Sequence, residues 1–156
     1  MQLYYPLIIE QIEQGKYRKL GAGSGRYVYD MENNYVIKYG RNQKGLAQNQ
    51  AEDEIYHKRR DPVLAAVGGC TSDYRILVME KAEPYKNSYS LCQYYNISSM
   101  RELHHIAEVR RMVEEYHLVG VDLMKISSWG EVRGRPVLID YGFTTHVRNR
   151  YYTGFF

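Results

Sequence analysis

A glycine-rich turn set between strand-forming runs constrains this chain more than any other feature. Gly21-Ala22-Gly23-Ser24-Gly25 follows Lys19-Leu20 and precedes Arg26-Tyr27-Val28-Tyr29; a polar turn at Glu32-Asn33-Asn34 then leads into Tyr35-Val36-Ile37-Lys38. β-Branched and aromatic residues alternating around turn residues read as strand, glycine turn, strand, tight turn, strand, an antiparallel meander. Glycines that join two strands, rather than opening a helix, exclude both the dinucleotide-binding βαβ unit and the P-loop. They still let backbone approach an anion closely, as a loop over phosphates requires.

The rest of the chain reads as an α+β domain. Leu7, Ile8, Ile12 and Tyr17 among Glu and Gln between Tyr5 and Leu20 suit a short helix leading into a strand. Leu46, Ala47, Ala51, Ile55 and Tyr56 give a helical period from Gly45 to about Arg60, before the breaker Asp61-Pro62. Val63–Val67 and Arg75–Glu80 read as two further strands around a turn region from Gly68 to Asp73, and Glu80–Pro84 as a connector. Helices are expected at Ser90–Tyr95 and from about Ser98 to His117. The second has Ser98 or Ser99 as cap, Glu102 closing a capping box, and an apolar face through Leu103, Ile106, Ala107, Val109 and Val113. Val121–Thr144 returns to short strands around a turn at Arg133-Gly134.

At 156 residues, 44% hydrophobic and 25% charged, a single soluble domain is expected, without a membrane span. Met1–Pro6 shows no basic region followed by an apolar stretch, so the cytoplasm is the expected compartment. A net charge of +3 is too small to argue for nucleic acid. Cys70 and Cys92 lack metal-ligand spacing, and His104, His105 and His117 lie too far apart, or on different faces, to form a local metal site. Seventeen tyrosines hint at a recognition surface for a protein partner.

Chemistry concentrates in four places. Lys38 follows apolar Val36-Ile37, where an unpaired charge is costly to bury, so it needs an anion nearby. Of Glu52, Asp53 and Glu54 on the next helix, Glu52 precedes Ile55 and Tyr56 at helical spacing and is the preferred partner, with Glu54 the alternative. Asp140 ends the apolar run Val137-Leu138-Ile139 just before Tyr141-Gly142, where a carboxylate suits magnesium. Asp122, between Val121 and Leu123, is the candidate base.

In this order, glycine turn, Val-Ile-Lys, helical Glu, Leu77-Val78-Met79-Glu80, Asp122-Leu123 and Ile139-Asp140-Tyr141-Gly142, the chain resembles the eukaryotic-type protein kinase superfamily. It is similar in particular to the very small kinase-like proteins of bacteria and their phages, from Leu20 to Thr144. The resemblance implies a compact protein-kinase-like fold: an antiparallel N-lobe sheet with one helix over about residues 1–80, and a truncated, mainly helical C-lobe over 85–156. It implies that Gly21, Gly23, Gly25 and Val28 cover ATP, Lys38 meets its phosphates while paired with Glu52, and Glu80 to Ala82 form the hinge that holds adenine. Asp122 would orient the acceptor hydroxyl and Asp140 would bind Mg2+.

Four departures stand out. Arg26 takes the place of the family's third glycine, and Gly120-Val121 replaces the usual His-Arg. Where the family carries a metal-binding asparagine, counting gives Ser127, and alignment on Trp129-Gly130 gives Ser128. The chain stops sixteen residues after Asp140, too soon for the peptide-binding platform of larger kinases, and its tail, His146–Phe156, ends in aromatics expected to dock on their own domain. The leading expectation is phosphoryl transfer from ATP to a protein Ser, Thr or Tyr hydroxyl. The alternatives are a pseudokinase that binds and regulates a protein, and a small-molecule phosphotransferase of the aminoglycoside or choline kinase type.

Overall fold

The computed structural model describes residues 2–152, so Thr153–Phe156 of the aromatic tail lie outside the described residues. The chain divides into two compact units, residues 1–59 with 66–81, and residues 60–65 with 82–156. Segment 60–65 therefore packs with the second unit although it lies within the first in sequence.

The first unit contains α1 (Tyr5–Glu13), β1 (Arg18–Ala22), β2 (Arg26–Asp30), β3 (Tyr35–Gly40), α2 (Gln43–Arg59), β4 (Val67–Cys70) and β5 (Ile76–Glu80). Its five strands form one antiparallel sheet in the order β1-β2-β3-β5-β4. Alternation along the strands gives the sheet two different faces. On one, Ile37, Ile76 and Val78 meet Ile8 of α1 and are ringed by Tyr5, Tyr17, Tyr29, Tyr35 and Tyr39. Five tyrosines thus pack against the unit's own core, while Tyr4, Tyr89 and Tyr94 are exposed. On the other face lie Arg26, Val28 and Lys38, because Val28 stands opposite Lys38 and Arg26 opposite Gly40 in the β2–β3 register.

Helix α2 departs from its apolar pattern. Its buried residues are Gly45, Asn49, Glu52 and Ile55, while Leu46, Ala47 and Ala51 are only half-buried. A helix with so little apolar surface to bury docks through hydrogen bonds and charge instead. The strand expected over Val63–Val67 forms instead at Val67–Cys70, and the turn falls at 71–74, where Thr71 and Asp73 side chains bond to the backbone of Ile76 and Arg75. Val63–Ala65 instead pairs with Leu138 in the second unit, so the apolar run serves two partners.

The second unit contains β6 (Glu83–Pro84), α3 (Tyr89–Tyr95), a 3-10 helix (Met100–His105), α4 (Ala107–Tyr116), α5 (Gly120–Leu123), a second 3-10 turn (Ile126–Ser128), β7 (Trp129–Val132), β8 (Arg135–Leu138) and α6 (Thr145–Tyr151). Strands β6, β7 and β8 form an antiparallel sheet, with the hairpin turned by Arg133 at φ 50 and Gly134 at φ 77. The single helix expected from Ser98 to His117 is broken at Ile106, which is extended at ψ 118 and caps α4. The capping box of Ser99 and Glu102 starts the 3-10 helix. Both pieces keep an apolar stripe, so the periodicity does not register the break. The buried residues are Leu103, Val109, Met112 and Tyr116, while Ala107 is exposed.

Candidate functional site

In the first unit the site is built on the face of the sheet that bears Lys38. Lys38 lies on the central strand β3, and its Nζ is 2.9 and 3.0 Å from the two carboxylate oxygens of Glu52. Asp53 instead pairs with His57, and exposed Glu54 accepts from Gln50. Glu52 is fully buried, and a second cation shares it: the Arg26 guanidinium donates to both carboxylate oxygens, at 2.7 and 3.1 Å. Burial pushes the Glu52 carboxyl up, but the Arg26 and Lys38 charges outweigh it and hold the group below its ordinary range. Asn49, also fully buried, accepts from Arg26 at 3.1 Å and donates to the carbonyls of Lys38 and Tyr74. Residue type alone gave no sign of this: Arg26 stood only as a missing glycine, and the signal that finds it is strand register, two residues before Val28 on the Lys38 face.

The glycine turn is fastened to the start of α2. Arg41 donates through its side chain to the Gly23 carbonyl at 2.7 Å and through its backbone N–H to the Gly25 carbonyl at 2.8 Å. Asn42 caps α2 by accepting from the Gly45 N–H, and donates to the Ser24 carbonyl at 2.8 Å. Gly25 and Gly45 touch so closely that a Cβ on Gly45 would lie 1.9 Å from the Gly25 oxygen. At Gly21 and Gly23, by contrast, an added Cβ meets nothing within 4 Å. Val28 is half-buried opposite Lys38. Glu80 ends β5, hydrogen-bonded both ways to Ala66, and Lys81 next to it reaches Asp30 at 2.8 Å; the second unit resumes at Ala82.

In the second unit Asp122 lies on α5 and Asp140 just after β8, exposed. Hydrogen bonds from Ile139 N–H to the Ser128 carbonyl and from Val119 N–H to the Phe143 carbonyl tie the two acidic segments together. The Ser128 hydroxyl donates to the Asp122 carbonyl at 2.7 Å and the Trp129 indole to the Leu123 carbonyl at 2.7 Å, bracing the Asp122 loop from beneath. Ser128 is thus committed to the loop, while Ser127 is exposed. Lys125, missed in the sequence, pairs with Asp122 at 2.9 Å; that bond, with the Asp140 charge adding to it, raises its pKa. Its spacing of three from Asp122 was the available signal.

Among the described residues no three His, Cys, Asp or Glu side chains gather as a metal cage. Magnesium does not need one, since it is usually held by one or two carboxylates together with substrate phosphates and water; the oxygen donors of Asp140 and Ser127 suit it. No described helix is long and apolar enough to cross a membrane.

No protein-family model and no curated protein sequence matches the chain. Among solved structures, it is similar to the gentamicin complex of the aminoglycoside phosphotransferase APH(2")-IIa, at TM-score 0.50 and 15% identity over 91% of this chain and 71% of that one. It is also similar to the streptomycin–ATP ternary complex of APH(2")-IIa, at TM-score 0.42 and 21% identity over 66% of this chain; it spans 36% of that chain's length. Identity this low speaks to fold and not to activity. With its antiparallel sheet, its lysine strand followed by a glutamate-bearing helix, and its α+β second unit, the chain has the protein-kinase-like fold.

Proposed function

We propose that this chain transfers the γ-phosphoryl group of ATP to a hydroxyl group. The observation that carries the reading is the buried Lys38–Glu52 pair beside a glycine turn in which Gly21 and Gly23 have open space where a side chain would be. Among the described residues nothing lies within 4 Å of a Cβ at either position, whereas phosphates approaching the backbone would require glycine there. Gly21, Gly23, Gly25 and Val28 cover the nucleotide, Lys38 holds its phosphates with Glu52 fixing the ammonium, and Glu80 to Ala82 meet the adenine. Asp140, with Ser127, holds magnesium, which when bound neutralises phosphate charge. Asp122 orients the acceptor hydroxyl and takes its proton as the oxygen attacks phosphorus, the bond between phosphorus and the β,γ-bridging oxygen breaks, and ADP leaves.

For the acceptor we favour a small-molecule hydroxyl over the protein hydroxyl expected from the sequence, on the likeness of fold to an enzyme solved with gentamicin. A catalytically impaired binding module is the second reading, favoured by the engagement of Ser128 with the Asp122 loop, which leaves the shorter Ser127 where an amide is usual.

Thermal unfolding with and without ATP and magnesium tests the proposal. The expected outcome is a magnesium-dependent rise in Tm that is lost in Lys38→Ala and Asp140→Ala and reduced in Gly21→Ala, although Gly21→Ala unfolds like wild type without ligand. No rise at saturating nucleotide would remove ATP from the reading. ADP release on adding aminoglycosides supports the small-molecule acceptor, and phosphate incorporation into protein supports the other.

A further inference from the structure

We propose that Arg26 and the segment from Arg41 to Gly45 form a latch that fixes the glycine turn and Glu52 in place before any ligand is bound, with Arg26 as its positioning residue. The inference rests on the reading of this turn and of the Lys38–Glu52 pair as the nucleotide-holding part of the first unit. It adds that their arrangement is built into the unit and does not wait for nucleotide.

The argument begins with α2. Gly45, Asn49, Glu52 and Ile55 are its buried residues, and one aliphatic side chain among four gives the helix little hydrophobic attachment to the sheet. Apart from Ile55 and half-buried residues such as Leu46 against Gly40, polar bonds attach it. Arg26 makes a two-pronged bond to Glu52 and a third bond to Asn49, all in a buried setting where charge-assisted, geometrically matched pairs are strongest. Asn49 in turn grips the backbone of β3 and of the 71–74 turn, so the guanidinium is held from two sides. Arg26 is also the first residue of β2, directly after the turn, so whatever holds its side chain holds the end of the glycine loop.

A second set of bonds closes the other end. The carbonyls of Gly23, Ser24 and Gly25 are all taken by Arg41 and Asn42, and the Gly25–Gly45 contact leaves no space between loop and helix start. A glycine at position 26 would abolish the buried side-chain bonds to Glu52 and Asn49 and leave the turn attached through residues 41–45 and its own strand pairing, such as the Gly23 N–H to the residue 26 carbonyl. The arginine therefore converts a flap into a fixed wall, and Glu52 is oriented by two cations rather than by Lys38 alone.

Hydrogen exchange of the free protein tests the latch without nucleotide. In wild type, peptides covering 21–30 and 43–59 exchange slowly, and adding ADP with magnesium slows the 43–59 peptide by less than about twofold. In Arg26→Met both peptides exchange at least about tenfold faster, while the 5–13 peptide of α1 is unchanged; Arg26→Lys recovers part of the protection. If wild type binds nucleotide, ADP with magnesium restores the protection in Arg26→Met, and the variant raises KM for ATP more than it lowers kcat. Should Arg26→Met not fold, Arg41→Ala, whose side chain is exposed, is expected to speed exchange in the turn with α2 unchanged. Wild-type α2 that exchanges fast until nucleotide is added, or a folded Arg26→Met with unaltered exchange in both peptides, would overturn the latch. Because exchange is read without ligand, absence of any ATP effect on Tm would sink the nucleotide reading and leave this result standing.

Discussion

Glu52 holds two cations at once, since Arg26 and Lys38 both reach it in a buried setting. Changing it to Gln leaves two cations without the carboxylate they share, and breaking a buried pair in this way costs about 3–5 kcal/mol. Glu52→Gln is therefore expected to lower the urea midpoint sharply, whereas Glu54→Gln on the exposed side of the same helix stays within about 0.5 kcal/mol of wild type. The sequence favoured Glu52, because the helical offset to Ile55 and Tyr56 turns it towards the core, but left Glu54 open; the pair with Lys38 is seen only in the folded chain. The second cation was not legible in the sequence, because which face of β2 Arg26 occupies depends on pairing with β3.

At the scale of elements, the two glycine-dependent contacts differ in kind. Gly45 faces backbone atoms of Gly25 and Gly40 that cannot move aside, so Gly45→Ala is expected to destabilise by about 1–3 kcal/mol and to loosen the glycine turn. Differential scanning calorimetry beside Gly21→Ala, where a Cβ meets only open space, separates that clash from a general loss of glycine. In the second unit the 3-10 helix starts with a reciprocal capping box, and Ser99→Ala is expected to cost about 1 kcal/mol in chemical denaturation. The cap could be read from Ser99 and Glu102 three residues apart. The break at Ile106 could not, because both pieces keep their stripe at helical spacing and only packing decides where the chain resets.

For the whole molecule, acid stability follows from carboxyls held ionised. Hydrogen bonding from Lys81, with the Glu32 backbone and Arg18, lowers the Asp30 pKa to about 2, and Glu52 and Asp73 are lowered too. An unfolded Asp ionises near pH 3.9, so Asp30's contribution is complete above about pH 4 and disappears as pH falls through 2. The urea midpoint should thus fall steeply from pH 4 towards pH 2, and Asp30→Asn should flatten that slope while lowering the midpoint at pH 7. Local chemistry in the sequence determined the meander, the lysine strand and the hairpin at Arg133-Gly134, and favoured Glu52 over Glu54, because strand alternation, helical offsets and turn residues act over a few positions. Tertiary structure alone decided that Arg26 joins Glu52, that 60–65 packs with the second unit, and that the tyrosines of the sheet close over α1. Those outcomes depend on which strand faces which, and residues far apart in sequence carry no local period that records their meeting.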